Sequence, residues 1–210
     1  MLNIGVLVSG GGTNLQAILD AIQSGQIPEA KIVKVISSKE GAYALTRAKN
    51  AGVDGVALVK KNFPSNEAYM DEMIRVLQQA KVDLVVLAGF MTVLSPKFIA
   101  AFPNRILNIH PSLIPSFCGV GYYGLKVHEA ALQRGVKVTG ATVHFVNEET
   151  DGGPIFLQKT VEVREDDTPQ TLQQRVMEEA EWKILPEAIR LLSRGEAEVI
   201  DGKVRRVTRP

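Results

Sequence analysis

Five short apolar runs, spaced by helix-patterned stretches, constrain this chain more than any other feature. They cover residues 3–8, 31–37, 54–59, 83–88 and 105–109, each the length of one buried strand. Between them, residues 14–24 place Leu15, Ile18, Leu19 and Ile22 on one helical face. Residues 41–51 predict a short helix, and residues 65–80 a longer one carrying Tyr69, Met73, Ile74 and Leu77. Ser95 followed by Pro96 marks another helix start, because serine caps free amides and proline suits the first helical position. Strands alternating with helices predict an α/β fold: Rossmann-like, doubly wound, with a mostly parallel sheet flanked by helices.

The second half is less regular. Residues 111–124 are rich in proline and glycine and predict a loop; residues 125–134 predict a helix. Residues 137–146 and 155–163 predict strands joined by the turn-rich NEETDGGP. Thr168 and Pro169 open a long helix to about Leu192, followed by two short strands or a ragged tail. No proline- or serine-rich linker divides the halves, so a single domain over 1–210 is expected, with chemistry at the carboxyl ends of the strands.

Composition narrows the function classes. Lysine and arginine total 24 against 23 acidic residues, a net charge of +1, so no polyanionic partner is implied. The basic tail Lys203 to Arg209 is expected to be a solvated surface, not a nucleic-acid site. The single cysteine, Cys118, cannot form an internal disulfide. No secretory leader is visible and no run approaches the ~18 apolar residues of a membrane span, so a cytoplasmic protein without membrane partners is expected. Neither H-E-x-x-H nor C-x-x-C occurs, and no metal is expected.

Two motifs carry chemistry. The segment VSGGGTNLQ runs from a strand into a helix, where close backbone approach and the positive end of a helix dipole suit an anion. It lacks the Lys-Ser or Lys-Thr of a P-loop. Leu15 occupies the third glycine position of a dinucleotide fingerprint, and no acidic residue is well placed for an adenine ribose. A single phosphate monoester is the better ligand; a ligand-free tight turn is the alternative.

The second motif is LNIHPS. Asn108 and His110 end the fifth strand two residues apart, hence on one side of it. Asp151, in TDGGP, doubles as a turn residue, and spacing alone does not bring it to His110. If it arrives there, the carboxylate favours the imidazolium and raises the histidine pKa. An amide donor and a histidine cation would then stabilise the oxyanion of acyl transfer to an amine, and the histidine would move protons. His144 is expected to be structural, with some chance of lining the site, and His128 a surface or packing residue. A cysteine hydrolase using Cys118 with His110, and a nucleotide-sensing module built on the glycine turn, are the alternatives from other classes.

Together, VSGGGTNLQAI, VVLAGFMTVLSP, ILNIHPSLIPSF, GATVHFVNEETDGGPI and AEWKILPEAI resemble the phosphoribosylglycinamide formyltransferases, from about residue 2 to residue 195. The resemblance implies formyl transfer from the co-substrate 10-formyltetrahydrofolate to 5-phosphoribosylglycinamide, in purine biosynthesis, by a monomer or homodimer without metal. It divides the domain into a ribonucleotide-binding half (1–100) and a folate-binding, catalytic half (101–210). It makes Asn108, His110 and Asp151 catalytic, the aspartate keeping the histidine protonated. It places the ribonucleotide phosphate on Gly12, Thr13 and Asn14 and the sugar on Glu181. The folate would meet Asn66, Met91, Thr92, Val93, Leu94, Asn108, Asn147, Glu148, Glu149, Thr150 and Asp151. Thr142 matches a hydroxyl beside the catalytic histidine.

This chain departs from the pattern at several points. Asn66 and Thr92 stand where some members have arginine, which implies a changed grip on the folate tail. RVMEEAE is one residue longer before Glu181 than in some members, and Trp182 replaces a frequent histidine. The loop SFCGVGYYG is longer, as a lid or as a longer connection. Methionyl-tRNA formyltransferase and formyltetrahydrofolate deformylase share the core and the triad. The near-neutral charge, and a sequence that starts at its first strand and stops at residue 210, favour neither.

Overall fold

Strand β1 (Leu2–Val8) is almost wholly buried, and its neighbours β2 (Ala30–Ser37) and β4 (Leu84–Leu87) run parallel to it; β3 (Gly55–Ala57) runs parallel to β2. These elements come from a computed structural model that describes residues 1–207, so Arg209 lies outside the described residues. The chain divides into two compact units, Met1–Leu107 and Asn108 onward.

The first unit holds the strands in the order β3-β2-β1-β4. Its helices are α1 (Thr13–Gln23), α2 (Tyr43–Asn50), α3 (Asn66–Gln79) and α4 (Pro96–Ala101). Helix α1 buries Leu15 and Ile18 completely, each contributing roughly 2 kcal/mol of apolar transfer. Helix α3 is started by Ser65, whose hydroxyl accepts from the Ala68 amide at 3.1 Å, and α4 by Ser95 in the same way from Phe98 at 3.2 Å. The predicted third strand is shorter than its apolar run. Lys60–Asn62 closes into a 3₁₀ turn and leaves only three residues paired. A Cβ on Gly5 would lie 2.6 Å from Leu77, so glycine in β1 sets how closely α3 packs.

Strand β5 (Ile106–His110) crosses the unit boundary. The second unit continues with α5 (Leu125–Arg134), β6 (Val138–Phe145) and β7 (Ile155–Glu162), the last two antiparallel. Strand order there is β5-β6-β7. The predicted long helix is three pieces: α6 (Pro169–Val176), one π turn (Met177–Glu181) and α7 (Trp182–Ser193). Thr168 and Thr171 cap α6 reciprocally, as the Thr-Pro start implied. The π turn lies in RVMEEAE, where one turn holds more residues than an α-helical turn does. The tail forms a hairpin of β8 (Ala197–Ile200) and β9 (Lys203–Arg206). The fold is therefore α/β, mostly parallel and flanked by helices, as the alternation implied.

Of the two expectations for His128, surface or packing, the structure shows the second. It is fully buried on α5, and among the described residues neither ring nitrogen has a hydrogen-bond partner. Burial, and secondarily the nearby His110, push its imidazole down to about 4. Above its ordinary value of 6.5 the ring is neutral folded or unfolded, so it is indifferent to pH there. As pH falls from 6.5 towards 4 only the unfolded chain takes the proton, and stability is lost. Across that window the loss is on the order of 3 kcal/mol. Denaturant titrations of the parent and His128→Leu at pH 7.5 and 4.5 check this. The variant should lose that much less on acidification; equal losses exclude His128 as the cause.

Candidate active site

In the first unit, the glycine turn is held from behind by α2. The Ala44 amide donates to the Gly10 carbonyl at 3.2 Å, and Arg47 Nε donates to the Gly11 carbonyl at 2.8 Å. Arg47 also donates to Gln16 at 2.9 Å and stacks over the Tyr43 ring. Gly12 adopts a left-handed conformation (φ 74°) as the residue before α1, and a Cβ there would stand 2.7 Å from Ala44. With two glycine carbonyls engaged by α2, the turn is rigid, and the positive end of the α1 dipole lies at Thr13 and Asn14. Ser9 ties three segments of this edge together: its hydroxyl is 2.6 Å from that of Ser38 and accepts from the Met91 amide at 3.0 Å. Met91 and Val93 are exposed, Thr92 is half-buried and Leu94 is buried. Asn66 is exposed at the first position of α3. Arg47 was invisible as a turn brace in the sequence, where it reads only as a helix cation.

The second unit gathers the triad. His110 is 4 % exposed, and its Nδ1 lies 3.6 Å from Asp151 Oδ2. Its Nε2 is 2.9 Å from the Phe117 carbonyl; a carbonyl only accepts, so Nε2 bears a proton. Phe117 itself has φ 51°, a region bulky residues rarely adopt. That strain is held because its carbonyl receives His110 and, at 3.3 Å, Ser112 Oγ. Asp151 is also left-handed (φ 56°), which aspartate tolerates, and accepts from the Gly119 amide at 2.9 Å. A Cβ on Gly153 would sit 1.9 Å from the Phe145 carbonyl, so only glycine lets the Asp151 turn fold so closely onto β6.

Thr142, fully buried on β6, donates to the Ser112 carbonyl at 2.7 Å and accepts from the Ile114 amide at 3.1 Å and from Gln158 at 3.0 Å. It clamps the segment after His110. His144, expected to be structural, is a fourth member of the site: its Nε2 lies 3.1 Å from Asn108 Nδ2 and 3.6 Å from Asp151 Oδ1. A register shift between Val143 and His144 aims it there, and simple alternation along β6 could not reveal that shift. Asn147 to Thr150 are exposed, and Glu181 is buried in the π turn.

The electrostatics reverse one expectation. Asp151 does reach His110 and pulls its pKa up, as does the Phe117 carbonyl. Burial outweighs both, and the His110 imidazole lies below its ordinary value. The His110 imidazolium therefore gives up its proton more readily than a free one. Burial would push Asp151 up, but the His144 and His110 rings and the Gly119 amide hold its carboxyl below the usual range. The Cys118 thiol is raised, chiefly by burial, and faces the Pro115 carbonyl at 3.3 Å, so it is no activated nucleophile. Among the described residues, no group of three histidine, cysteine or acidic side chains could hold a metal, and no helix is long and apolar enough to cross a membrane.

The Asn108, His110 and Asp151 cluster of the second unit and the glycine turn of the first are features that known relatives can test. The formyl transferase family model matches residues 2–189. The chain belongs to the formyl transferase family. It is 45 % identical over 201 residues to the phosphoribosylglycinamide formyltransferase of Haemophilus influenzae, covering 96 % of this chain and 92 % of the relative. It is also similar to the crystal structure of glycinamide ribonucleotide transformylase 1 from Symbiobacterium toebii: TM-score 0.93, 47 % identity, 99 % of this chain and 95 % of that one. A formyltetrahydrofolate deformylase from Pseudomonas syringae shares the fold at 26 % identity and TM-score 0.88, with 99 % of this chain matching 66 % of that one. Membership of the formyl transferase family makes this chain an enzyme that transfers a one-carbon unit.

Proposed function

We propose that this formyl transferase moves the formyl group of 10-formyltetrahydrofolate to the amine of 5-phosphoribosylglycinamide. The observation that carries the reading is the convergence of Asn108, His110 and Asp151, with His110 Nδ1 3.6 Å from the carboxylate and its Nε2 anchored. The amine nitrogen attacks the formyl carbon, and the carbonyl oxygen becomes an oxyanion. His110, neutral at the start, takes the amine proton on Nδ1. The imidazolium so formed is stabilised by Asp151 and lies beside the oxyanion, to which Asn108 supplies an N–H. When the bond to N10 of the folate breaks, the same proton goes to that nitrogen, and His110 is restored.

The rigid turn at Gly12, Thr13 and Asn14 supports a phosphate monoester there, and Glu181 is assigned to the sugar. Folate contact is assigned to Asn66, Met91, Thr92, Val93 and Leu94, to Asn108, and to Asn147, Glu148, Glu149, Thr150 and Asp151. Purified protein given glycinamide ribonucleotide and 10-formyltetrahydrofolate should form formylated ribonucleotide. Release of formate without need of the ribonucleotide would instead make it a deformylase.

The pH dependence is set by His110. Because its pKa lies below 6.5, the base form is present at neutral pH and is lost only at lower pH. At saturating ribonucleotide, kcat/KM for the folate should be flat near neutrality and fall on acidification. Asp151→Asn removes an interaction that raises the His110 pKa, so this limb should move to still lower pH. A limb unmoved in the variant would assign the titration to another group.

A further inference from the structure

Formyl transfer by the triad leaves His144 without a role, although it is 2 % exposed and touches two members of the site. Its Nδ1 is 2.9 Å from the carbonyl of Phe145, the next residue. A carbonyl cannot donate, so Nδ1 carries a proton. Its Nε2 is 3.1 Å from the side-chain nitrogen of Asn108. An amide nitrogen only donates, so with Asn108 in this orientation Nε2 is the acceptor. The reverse orientation of the Asn108 amide would put protons on both ring nitrogens, a cation facing Asp151, and is the alternative that the tautomer measurement below distinguishes. The titratable groups facing this ring are Asp151, whose Oδ1 at 3.6 Å stands outside hydrogen-bond distance, and His110.

This arrangement orients Asn108. With its nitrogen turned to His144, its Oδ1 points the other way. Asn108 is half-buried, and among the described residues no protein group donates to that oxygen. An amide held by one N–H keeps one acceptor and one further donor for a ligand. The Phe145 carbonyl is itself fixed, because the amide of the same residue donates to Pro154 at 2.9 Å and Gly153 packs against that carbonyl.

We propose that His144, as its Nδ1–H tautomer, is a positioning residue that orients the Asn108 amide so that its oxygen as well as its second N–H meets the reacting atoms. In the formyl transfer on which this rests, the oxygen accepts a hydrogen of the attacking amine and aims the nitrogen lone pair at the formyl carbon. The second N–H meets the oxyanion. Asn108 thereby serves nucleophile and electrophile together, and a histidine that touches neither decides it.

Two measurements test this. In ligand-free protein labelled with ¹⁵N-histidine, NMR at neutral pH should find His144 protonated on Nδ1 and bare on Nε2. A proton on Nε2 overturns the proposal, whatever reaction the enzyme catalyses. In kinetics, His144→Leu should lower kcat by roughly 10- to 100-fold, with KM for the ribonucleotide changed less than about threefold. His144→Gln offers a carbonyl to the Asn108 nitrogen and should recover most of the loss. Full kcat in His144→Leu, or no recovery in a folded His144→Gln, overturns it. If the leucine variant does not fold, the tautomer and the glutamine variant still decide. Failure of the parent to transfer formyl at all would strike the proposed reaction and leave the tautomer result standing.

Discussion

His110→Ala should lower kcat/KM for formyl transfer by about 100-fold or more. The imidazole is the one group in the site that both takes a proton and becomes a cation beside the developing oxyanion, so its removal deletes two contributions at once. Alanine leaves the Phe117 carbonyl with the Ser112 hydroxyl at 3.3 Å as a partner, and the segment after β5 stays clamped by Thr142. The loss should therefore appear in the rate, with melting temperature and ribonucleotide affinity near those of the parent. Asp151→Asn keeps shape and removes charge. It should also slow transfer strongly, because the imidazolium formed during the reaction loses its counter-ion in a buried site. Stopped-flow or steady-state assays beside thermal melts check both. Parental rates in a folded His110→Ala would remove the proton-transfer role altogether.

Gly12→Val should weaken ribonucleotide binding by on the order of 100-fold, about 3 kcal/mol, while leaving formyl-folate affinity within about threefold. Valine is strained at φ 74°, and its Cβ would meet Ala44 Cβ at 2.7 Å and Cα at 2.9 Å. The turn and α2 must part, and with them the bonds from Ala44 and Arg47 to the carbonyls of Gly10 and Gly11. Backbone amides that were aimed by that packing are then no longer aimed. Calorimetric titration of each ligand separates the two affinities. Equal weakening of both would count against a phosphate at this turn.

Much of the scaffold was legible because it is written in local pattern. Alternating apolar runs announced the parallel strands, Ser95-Pro96 and Thr168-Pro169 announced helix starts, and the glycines of VSGGGTN announced a turn against a helix. Asn108 and His110 share a side of β5 because a strand repeats every two residues, which needs no tertiary information. The π turn in RVMEEAE was not legible, because its apolar spacing reads as one continuous helix.

The hidden features depend on burial and on partners distant along the chain. The pull of Asp151 on His110 could be anticipated from charge, but desolvation, the larger effect, exists only once the core has closed around the ring. His144 looks like any inward residue of β6 until a one-residue register shift turns it to Asn108. His128 reads as either a surface or a packing residue until α6 packs on α5 and buries it. The sequence by itself determined the order and type of the elements, because backbone propensity and hydrophobic period act over a few residues. Only the tertiary structure decided which side chains meet around His110 and that burial outweighs its neighbours there, because pKa answers to dielectric and to hydrogen-bond partners brought together across the fold.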